Sequence, residues 1–226
     1  GPNIQSQEWQ INEAIKYIIM NIPIVSSFKN KDSNMNSILS KIIEFEFADL
    51  NCIVNGFTLF LYCCQNNEIE IVKKMIKIDK VDVNLCAEED GNTPLMVAID
   101  SNHIEIAKLL IECERTNINK KNCEEETALT IAVQQNHIEI VDALINNEKF
   151  NSIESRLEYA FYLSSEEIAK KIISSKNVDI NLYSTESVCT LLKDSIDEKH
   201  IEGAKLLIES DKTRINQRNY SDEIAI

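Results

Sequence analysis

The chain has 226 residues, of which 44 % are hydrophobic, and its 37 acidic and 23 basic residues give a formal net charge of −14. Such an excess of carboxylates repels phosphate backbones, so we expect no direct binding to nucleic acid and favour neutral or basic protein partners. No basic tract is long enough to suggest attachment to an anionic membrane, and no apolar run approaches the ~18 residues of a membrane-spanning helix.

Seven cysteines are spread along the chain without a Cys-x-x-Cys pair. Structural zinc sites usually place their ligands in such close pairs, so we expect neither a metal site nor another cofactor. Reduced cysteines that pack as small apolar residues are typical of cytosolic proteins. The cysteine pattern therefore predicts a cytoplasmic location.

The N-terminal segment, residues 1–51, predicts a helical cap made of one degenerate helix pair. Residues 8–20 carry isoleucine and alanine at helical spacing, Pro23 ends this helix, and residues 38–47 predict the second one. Gly1 and Pro2 are typical of the remnant of a cleaved affinity tag. Terminal units of a stacked array must hide one end of the stack, which is the role we expect for this segment.

After the cap, a short phrase of the type Asn-His-Ile-Glu-Ile recurs at a nearly constant interval. Its central isoleucines are Ile69, Ile104, Ile138 and Ile201, at steps of 35, 34 and 63 residues. The last gap holds a degraded copy, Ser-Glu-Glu-Ile at residues 165–168, which divides the gap into 28 and 35 residues. A period in this range indicates stacked supersecondary units rather than one closed core.

Each copy of the phrase lies between two other recurring signals. Upstream, Thr58, Thr93 and Thr127 are good N-caps for a short first helix, and Pro94 falls at the first helical position. The phrase itself predicts the turn between helices and the start of a longer second helix. An exit tripeptide of the type Asp-Val-Asn then predicts a turn, and its copies are residues 49–51, 82–84, 117–119, 179–181 and 214–216.

These elements, in this order, resemble the ankyrin repeat. The family's Thr-Pro-Leu-His stands here as Thr-Pro-Leu-Met at residues 93–96, and its Gly-His-x-x-Ile-Val stands as Asn-His-Ile-Glu-Ile-Val at residues 136–141. The resemblance covers about residues 52–226 and implies an all-α solenoid of helix-turn-helix units with short hairpin-like loops. The expected repeats are residues 52–84, 85–119, 120–151, 152–181 and 182–216, followed by a stub at residues 217–226.

The chain departs from the family pattern between the two helices of each repeat. The family's glycine is replaced by Asn67, Asn102 and Asn136, which tolerate left-handed backbone angles. Ser164 and Lys199, which stand there in the last two copies, tolerate them less well. The fourth repeat is also shortened, because its step of 28 residues lacks about six or seven residues of hairpin compared with steps of 34 and 35.

Catalytic and metal-binding interpretations find little support in the sequence. His103, His137 and His200 share one repeat position, so stacking separates neighbouring copies by ~10 Å, too far to share a metal ion. Turn histidines that bind backbone carbonyls are the simpler interpretation. The acidic runs 88–90 and 124–126 lack the spacing of a calcium loop and favour a solvated acidic edge. We therefore expect no enzyme.

The resemblance implies a protein-binding module whose partner lies along the concave side, against hairpin tips and the exposed face of the first helices. Tyr162 and Leu163 are apolar where the family pattern expects polar residues, so they predict either an exposed hot spot or side chains turned into the core. The other positions are polar or acidic, which favours a partner with a basic or neutral surface. The predicted partner-binding residues are Glu88, Glu89, Asp90, Asp100, Ser101, Glu124, Gln134, Gln135, Tyr162, Leu163, Asp197 and Glu198.

Two alternatives to an adaptor remain open at this point. The C-terminal end has no cap comparable with residues 1–51, which favours a natural chain that continues, or a structural module that associates with itself through this end. The second alternative is the targeting arm of a larger protein, with a catalytic domain outside these residues.

Overall fold

The computed structural model describes residues 9–16, 33–44, 48–152, 157–181, 191–197 and 199–214. Within these ranges the regular elements are α-helices, and the isolated bridge between Val54 and Phe57 is the only β-type pairing. The predicted all-α class is confirmed. The chain divides into two compact units, Gly1–Thr116 and Asn117–Ile226. No helix among the described residues is both long and apolar enough to cross a membrane.

Among its described residues, the first unit has a leading pair of helices and two further pairs. Helical residues 9–16 (α1) come first. Helices α4 and α6 are second helices that pack on each other, α3 packs on α5, and α2 packs on α4. The bounds are α2 Ser33–Glu44, α3 Leu59–Gln65, α4 Ile69–Met75, α5 Pro94–Asp100 and α6 Ile104–Glu112.

The part of the second unit that the structure describes has three helix pairs built in the same way. The first helices α7, α9 and α11 pack in sequence on one another, and the second helices α8, α10 and α12 do the same. The bounds are α7 Ala128–Gln134, α8 Ile138–Ile145, α9 Leu157–Leu163, α10 Glu166–Ser174, α11 Leu191–Asp197 and α12 Ile201–Glu209.

The threonine caps form as the sequence predicts. The hydroxyl oxygen of Thr58 accepts the Leu61 N–H at 3.1 Å, and that of Thr93 accepts the Met96 N–H at 3.2 Å. Pro94 occupies the first helical position, where its missing N–H costs nothing. Each such cap contributes about 1 kcal/mol to helix stability, which matters for helices of only seven residues.

Small buried side chains let neighbouring first helices approach closely. One such residue lies in the middle of each first helix: Cys63, Ala98, Ala132, Ala160 and Ser195. Burial raises the pKa of the Cys63 thiol and that of the adjacent Cys64, so both stay protonated. These two cysteines therefore pack as apolar residues, as the sequence predicts.

The asparagine that ends an exit tripeptide joins its repeat to the next one by hydrogen bonds. Asn51 Nδ2 donates to the Lys80 carbonyl at 2.6 Å, and Asn51 Oδ1 accepts the Asp82 N–H at 2.8 Å. The nitrogen and the oxygen of the Asn51 side-chain amide thus both bond to backbone groups at or just before the following exit tripeptide, about one repeat further along the chain. The same two bonds join Asn119 to Lys149 and Asn151, and Asn181 to Lys212 and Arg214.

A basic residue two positions before the exit tripeptide binds carbonyls of the preceding repeat. Lys212 Nζ donates to the carbonyls of residues 173, 174 and 175 at 2.9, 3.1 and 2.7 Å, at the end of α10. Arg115 does the same beyond the end of α4. The carbonyls of Ile173 and Ser174 belong to the last turn of α10, where the negative end of the helix dipole lies, so a cation there stabilises the packing of consecutive repeats.

A large residue in the fourth repeat, Phe161, faces a glycine in the fifth repeat, Gly203. Phe161 is fully buried at the α9 position that corresponds to Cys64, Ile99 and Val133 in earlier repeats. Gly203 in α12 stands where the earlier second helices carry isoleucine. A Cβ atom on Gly203 would lie 2.5 Å from His200 Nδ1 and 2.8 Å from Phe161 Cε1. The missing side chain of Gly203 therefore makes room for the two rings.

Backbone angles between the helices follow the expected left-handed turn in four repeats. The φ angles are 59°, 60° and 55° at Asn67, Asn102 and Asn136, and 59° at Lys199. Ser164 is not among the described residues with positive φ. Its hydroxyl donates to the Phe161 carbonyl at 2.7 Å instead. Lys199 is therefore the least favourable of these turn residues, because a side chain other than that of asparagine or aspartate raises the energy of the left-handed backbone conformation by about 1–2 kcal/mol.

We expect Lys199→Gly to raise the free energy of unfolding of the second unit by about 0.5–1 kcal/mol, since relief of strain exceeds the extra entropy of a glycine in the unfolded chain. Urea unfolding followed by circular dichroism measures the change. Lys199→Ala is the matched control, because alanine keeps the Cβ atom and therefore the strain. Equal stabilisation by alanine and glycine would contradict this explanation.

Candidate protein-binding surface

In the first unit, the predicted tip residues lie on an ordered turn. Glu88, Glu89 and Asp90 are all exposed. The Asp90 carboxylate accepts the Asn92 N–H and the Asn92 side-chain amide, both at 2.8 Å. The Gly91 N–H donates to the Ala87 carbonyl at 3.1 Å and closes the turn. Three carboxylates are therefore held at the surface on a short stretch of fixed backbone.

The second unit repeats this arrangement around one buried asparagine. Asn122 Oδ1 accepts the N–H groups of Glu124 and Glu126 at 3.0 and 2.8 Å, and its Nδ2 donates to Glu126 Oε2 at 3.1 Å. Glu124 and Glu125 are exposed, and Glu125 pairs with Lys121 at 2.8 Å. Residue type and spacing do not identify Asn122 as the organiser of this loop, because no spacing rule distinguishes it from other turn asparagines.

The predicted positions on the first helices are mostly at the surface. In the first unit Asp100 is exposed and Ser101 is half-buried. In the second unit Gln134 and Gln135 are exposed, and Gln134 Nε2 donates to Glu126 Oε1 at 2.9 Å, which ties α7 to its own hairpin. Asp197 is exposed at the end of α11, where Lys193 lies 3.1 Å from its carboxylate. Glu198 lies outside the described residues.

Of the two apolar positions on α9, Tyr162 is at the surface, with 45 % of the side chain exposed, and Leu163 is half-buried. The neighbouring Phe161 fills the core position instead. The Tyr162 ring makes an edge contact with His200, with ring centroids 5.9 Å apart and planes at 74°. The irregular fourth repeat therefore does not turn Tyr162 into the core.

His103 contacts the backbone and His200 contacts aromatic rings. His103 Nε2 donates to the Gln65 carbonyl at 2.9 Å, at the end of the preceding first helix. His200 lies against Phe161 in an edge contact with centroids 5.8 Å apart. Across the described residues, no group of three or more histidine, cysteine or acidic side chains is arranged to hold a metal ion. His103 therefore has the scaffold role that the sequence predicts for the turn histidines.

Comparison with protein families gives a match that spans most of the chain. The model described as "Ankyrin repeats (3 copies)" matches residues 24–122 and 113–219. The match begins ahead of residue 52 and includes α2. No curated protein matches the sequence significantly.

Solved structures of three ankyrin repeat proteins are similar to this chain. An ankyrin repeat domain from Acinetobacter baumannii AYE (ABAYE2397) has a TM-score of 0.63 and 17 % identity, over 90 % of this chain and 98 % of that one. The ankyrin repeat domain of Bcl-3, described as a unique member of the IkappaB family, has a TM-score of 0.62 and 16 % identity, over 76 % and 78 %. The ankyrin repeat protein EF0377 has a TM-score of 0.57 and 21 % identity, over 77 % and 90 %. Identities this low show a shared fold alone.

Proposed function

The chain belongs to the ankyrin repeat family, and from this premise we propose that it is an adaptor that binds a protein partner through its acidic hairpin loops and the exposed residues of its first helices. Ankyrin repeats are generally non-catalytic modules for protein–protein interaction. The packed helices provide a rigid support, and residues on the loops can be substituted without disturbing the packing of the core.

The observation that supports this proposal most directly is the exposure of carboxylates on hydrogen-bonded turns. Glu88, Glu89 and Asp90 share one such turn, and Glu124 lies on the corresponding loop of the second unit. The backbone of these loops is already held by hydrogen bonds, so it loses little entropy when a partner binds. Together with the net charge of −14, they favour a basic partner, whose approach they accelerate by long-range attraction.

We expect the combined change Glu88→Lys, Glu89→Lys and Glu124→Lys to weaken partner binding roughly tenfold at low ionic strength and to reduce its dependence on salt. Affinity capture with the full chain and mass spectrometry first identifies the partner. Titration calorimetry with the purified partner at low and high salt then measures the affinity of each variant.

A matched control separates the position of the charges from the net charge. Glu112, Glu114 and Glu148 are exposed and lie at or just beyond the ends of second helices, so their reversal to lysine gives the same change in net charge elsewhere on the surface. We expect this control to weaken binding by less than the loop variant. Equal affinities of the loop variant and the unchanged chain would rule out the acidic loops as the binding surface.

A further inference from the structure

One position of the first helices differs in chemistry between repeats of the second unit. Gln134, Tyr162 and Asp197 occupy the same place in α7, α9 and α11, and all three are exposed. Since α9 packs on both α7 and α11, the Tyr162 ring lies in register between an amide on one side and a carboxylate on the other. Tyr162 thus places an aromatic ring at a position where the neighbouring helices carry polar side chains.

The Tyr162 ring is supported by the ring of His200, which packs in turn against Phe161. Its edge contact with His200 is backed by Phe161, which is fully buried and itself contacts His200. The space left by Gly203 accommodates both supporting rings. Tyr159 lies one helical turn earlier on the same side of α9, with 37 % exposed. A ring fixed in this way loses little conformational freedom when a ligand covers it.

The equivalent positions on the two helices that flank α9 have acidic groups. Asp197 keeps 51 % of its side chain exposed although Lys193 pairs with it. On the other side, Gln134 is bonded to the Glu126 carboxylate. The helices on both sides of α9 therefore present an acidic group near the level of Tyr162, Asp197 in α11 and Glu126 through its bond to α7, which favours a cationic group over an apolar one at this place.

We infer that Tyr162 is the anchor for an arginine side chain of the protein partner, with the guanidinium stacked on the ring and donating to Asp197. A guanidinium is planar and weakly hydrated, so it can stack on a tyrosine and donate to a carboxylate at the same time. A lysine ammonium is more strongly hydrated and has no plane to stack. This inference rests on the proposed function and identifies the chemistry that the partner presents to α9.

The test uses small probes, so it does not depend on the identity of the partner. The full chain is labelled with ¹³C in its tyrosine rings and titrated with N-acetyl-arginine methylamide, the lysine analogue and the uncharged citrulline analogue. We expect the arginine probe to shift the Tyr162 ring signals saturably and to bind about threefold tighter than the lysine probe, the increment expected of a cation stacked on an exposed ring. The citrulline probe is expected to bind more weakly than arginine because it lacks the charge.

Two variants make the outcome specific to this position. Tyr162→Gln introduces the residue that α7 carries there, so the ring signals that it removes are those of Tyr162. In this variant, shifts of the neighbouring Tyr159 ring signals should be no larger with the arginine probe than with the lysine probe. Asp197→Asn should keep the ring signal and reduce the preference for arginine over citrulline. Equal binding of arginine and lysine probes, or shifts that do not saturate, would overturn the inference.

The result can be separated from that of the proposed function. If the partner's affinity depends on the acidic loops but the arginine probe leaves Tyr162 unchanged, the binding surface stands and the arginine anchor is wrong. If loop reversal has no effect on the partner while arginine still saturates Tyr162, the site on α9 stands and the acidic loops are not the surface.

Discussion

Gly203→Ile is expected to lower the free energy of unfolding of the second unit by about 3 kcal/mol, the upper part of the range for overpacked cores. Isoleucine occupies the corresponding place in every earlier second helix, as Ile71, Ile106, Ile140 and Ile168, and is buried in each. A comparison of the repeats alone would therefore recommend this substitution. Helix propensity also favours it, because glycine in a helix costs about 1 kcal/mol relative to alanine.

The loss follows from what already fills the space. A Cβ atom on Gly203 would lie 2.5 and 2.7 Å from two atoms of the His200 ring and 2.8 Å from Phe161 Cε1. These distances are far below ordinary van der Waals contact. The Phe161 ring is fully buried, so the close-packed side chains around it leave little room for it to shift. The three further carbons of isoleucine would have to displace both rings, which is why the clash outweighs the gain in helix propensity.

A double-mutant cycle tests this explanation directly. Phe161→Val, which introduces the residue of the third repeat, should cost about 2 kcal/mol on its own by leaving a cavity. In combination with Gly203→Ile the cost should be smaller than the sum of the two single changes by at least about 1 kcal/mol. Urea unfolding followed by circular dichroism provides the free energies. Additive losses would show that the two positions do not share one space.

Arg115→Ala is expected to lower the free energy of unfolding of the first unit by about 3 kcal/mol. The guanidinium donates to the carbonyls of Val81 at 2.6 Å and Ile76 at 2.7 Å, and to those of Ile78 and Asp79 at 3.3 Å each. A hydrogen bond to a charged group contributes about 1.5–3 kcal/mol, and the four bonds share one donor group, so they do not add. Alanine would leave several carbonyls of the turn after α4 without this partner.

Arg115→Lys should recover about half of that loss, because Lys212 performs the equivalent task with a single ammonium group in the second unit. Lys77→Ala is the matched control: Lys77 is an exposed cation in the same turn, and its removal should change stability by less than about 0.5 kcal/mol. Urea unfolding followed by circular dichroism measures these changes. A loss for Arg115→Ala no larger than that for Lys77→Ala would contradict the proposed role.

Local signals in the sequence predicted the helices well. Thr58, Thr93 and Thr127 cap first helices as expected, and the asparagines between helices adopt the left-handed angles that their side chain tolerates. Each of these features depends on a side chain and on backbone groups two to four residues away. Such interactions can be recognised from residue type and spacing alone.

Contacts between repeats could not be predicted in the same way. Arg115 and the exit asparagines bond carbonyls about thirty to forty residues away, and residue type alone gives no indication of such partners. The sequence placed Tyr162 at an unusual position but left open whether it was exposed or buried. The answer depended on Phe161, which takes the core position, and on His200, which supports the tyrosine ring from α12's N-terminus.

By itself the sequence determined the order, period and caps of the helices, because these arise from interactions within one repeat. Only the tertiary structure decided what each departure from the period does. Gly203 looked like a defect in the recurring phrase, and the structure shows it as the space that two rings fill. The physical reason is that burial depends on the volume contributed by the neighbouring repeat, and that volume is a property of two segments about forty residues apart rather than of either one.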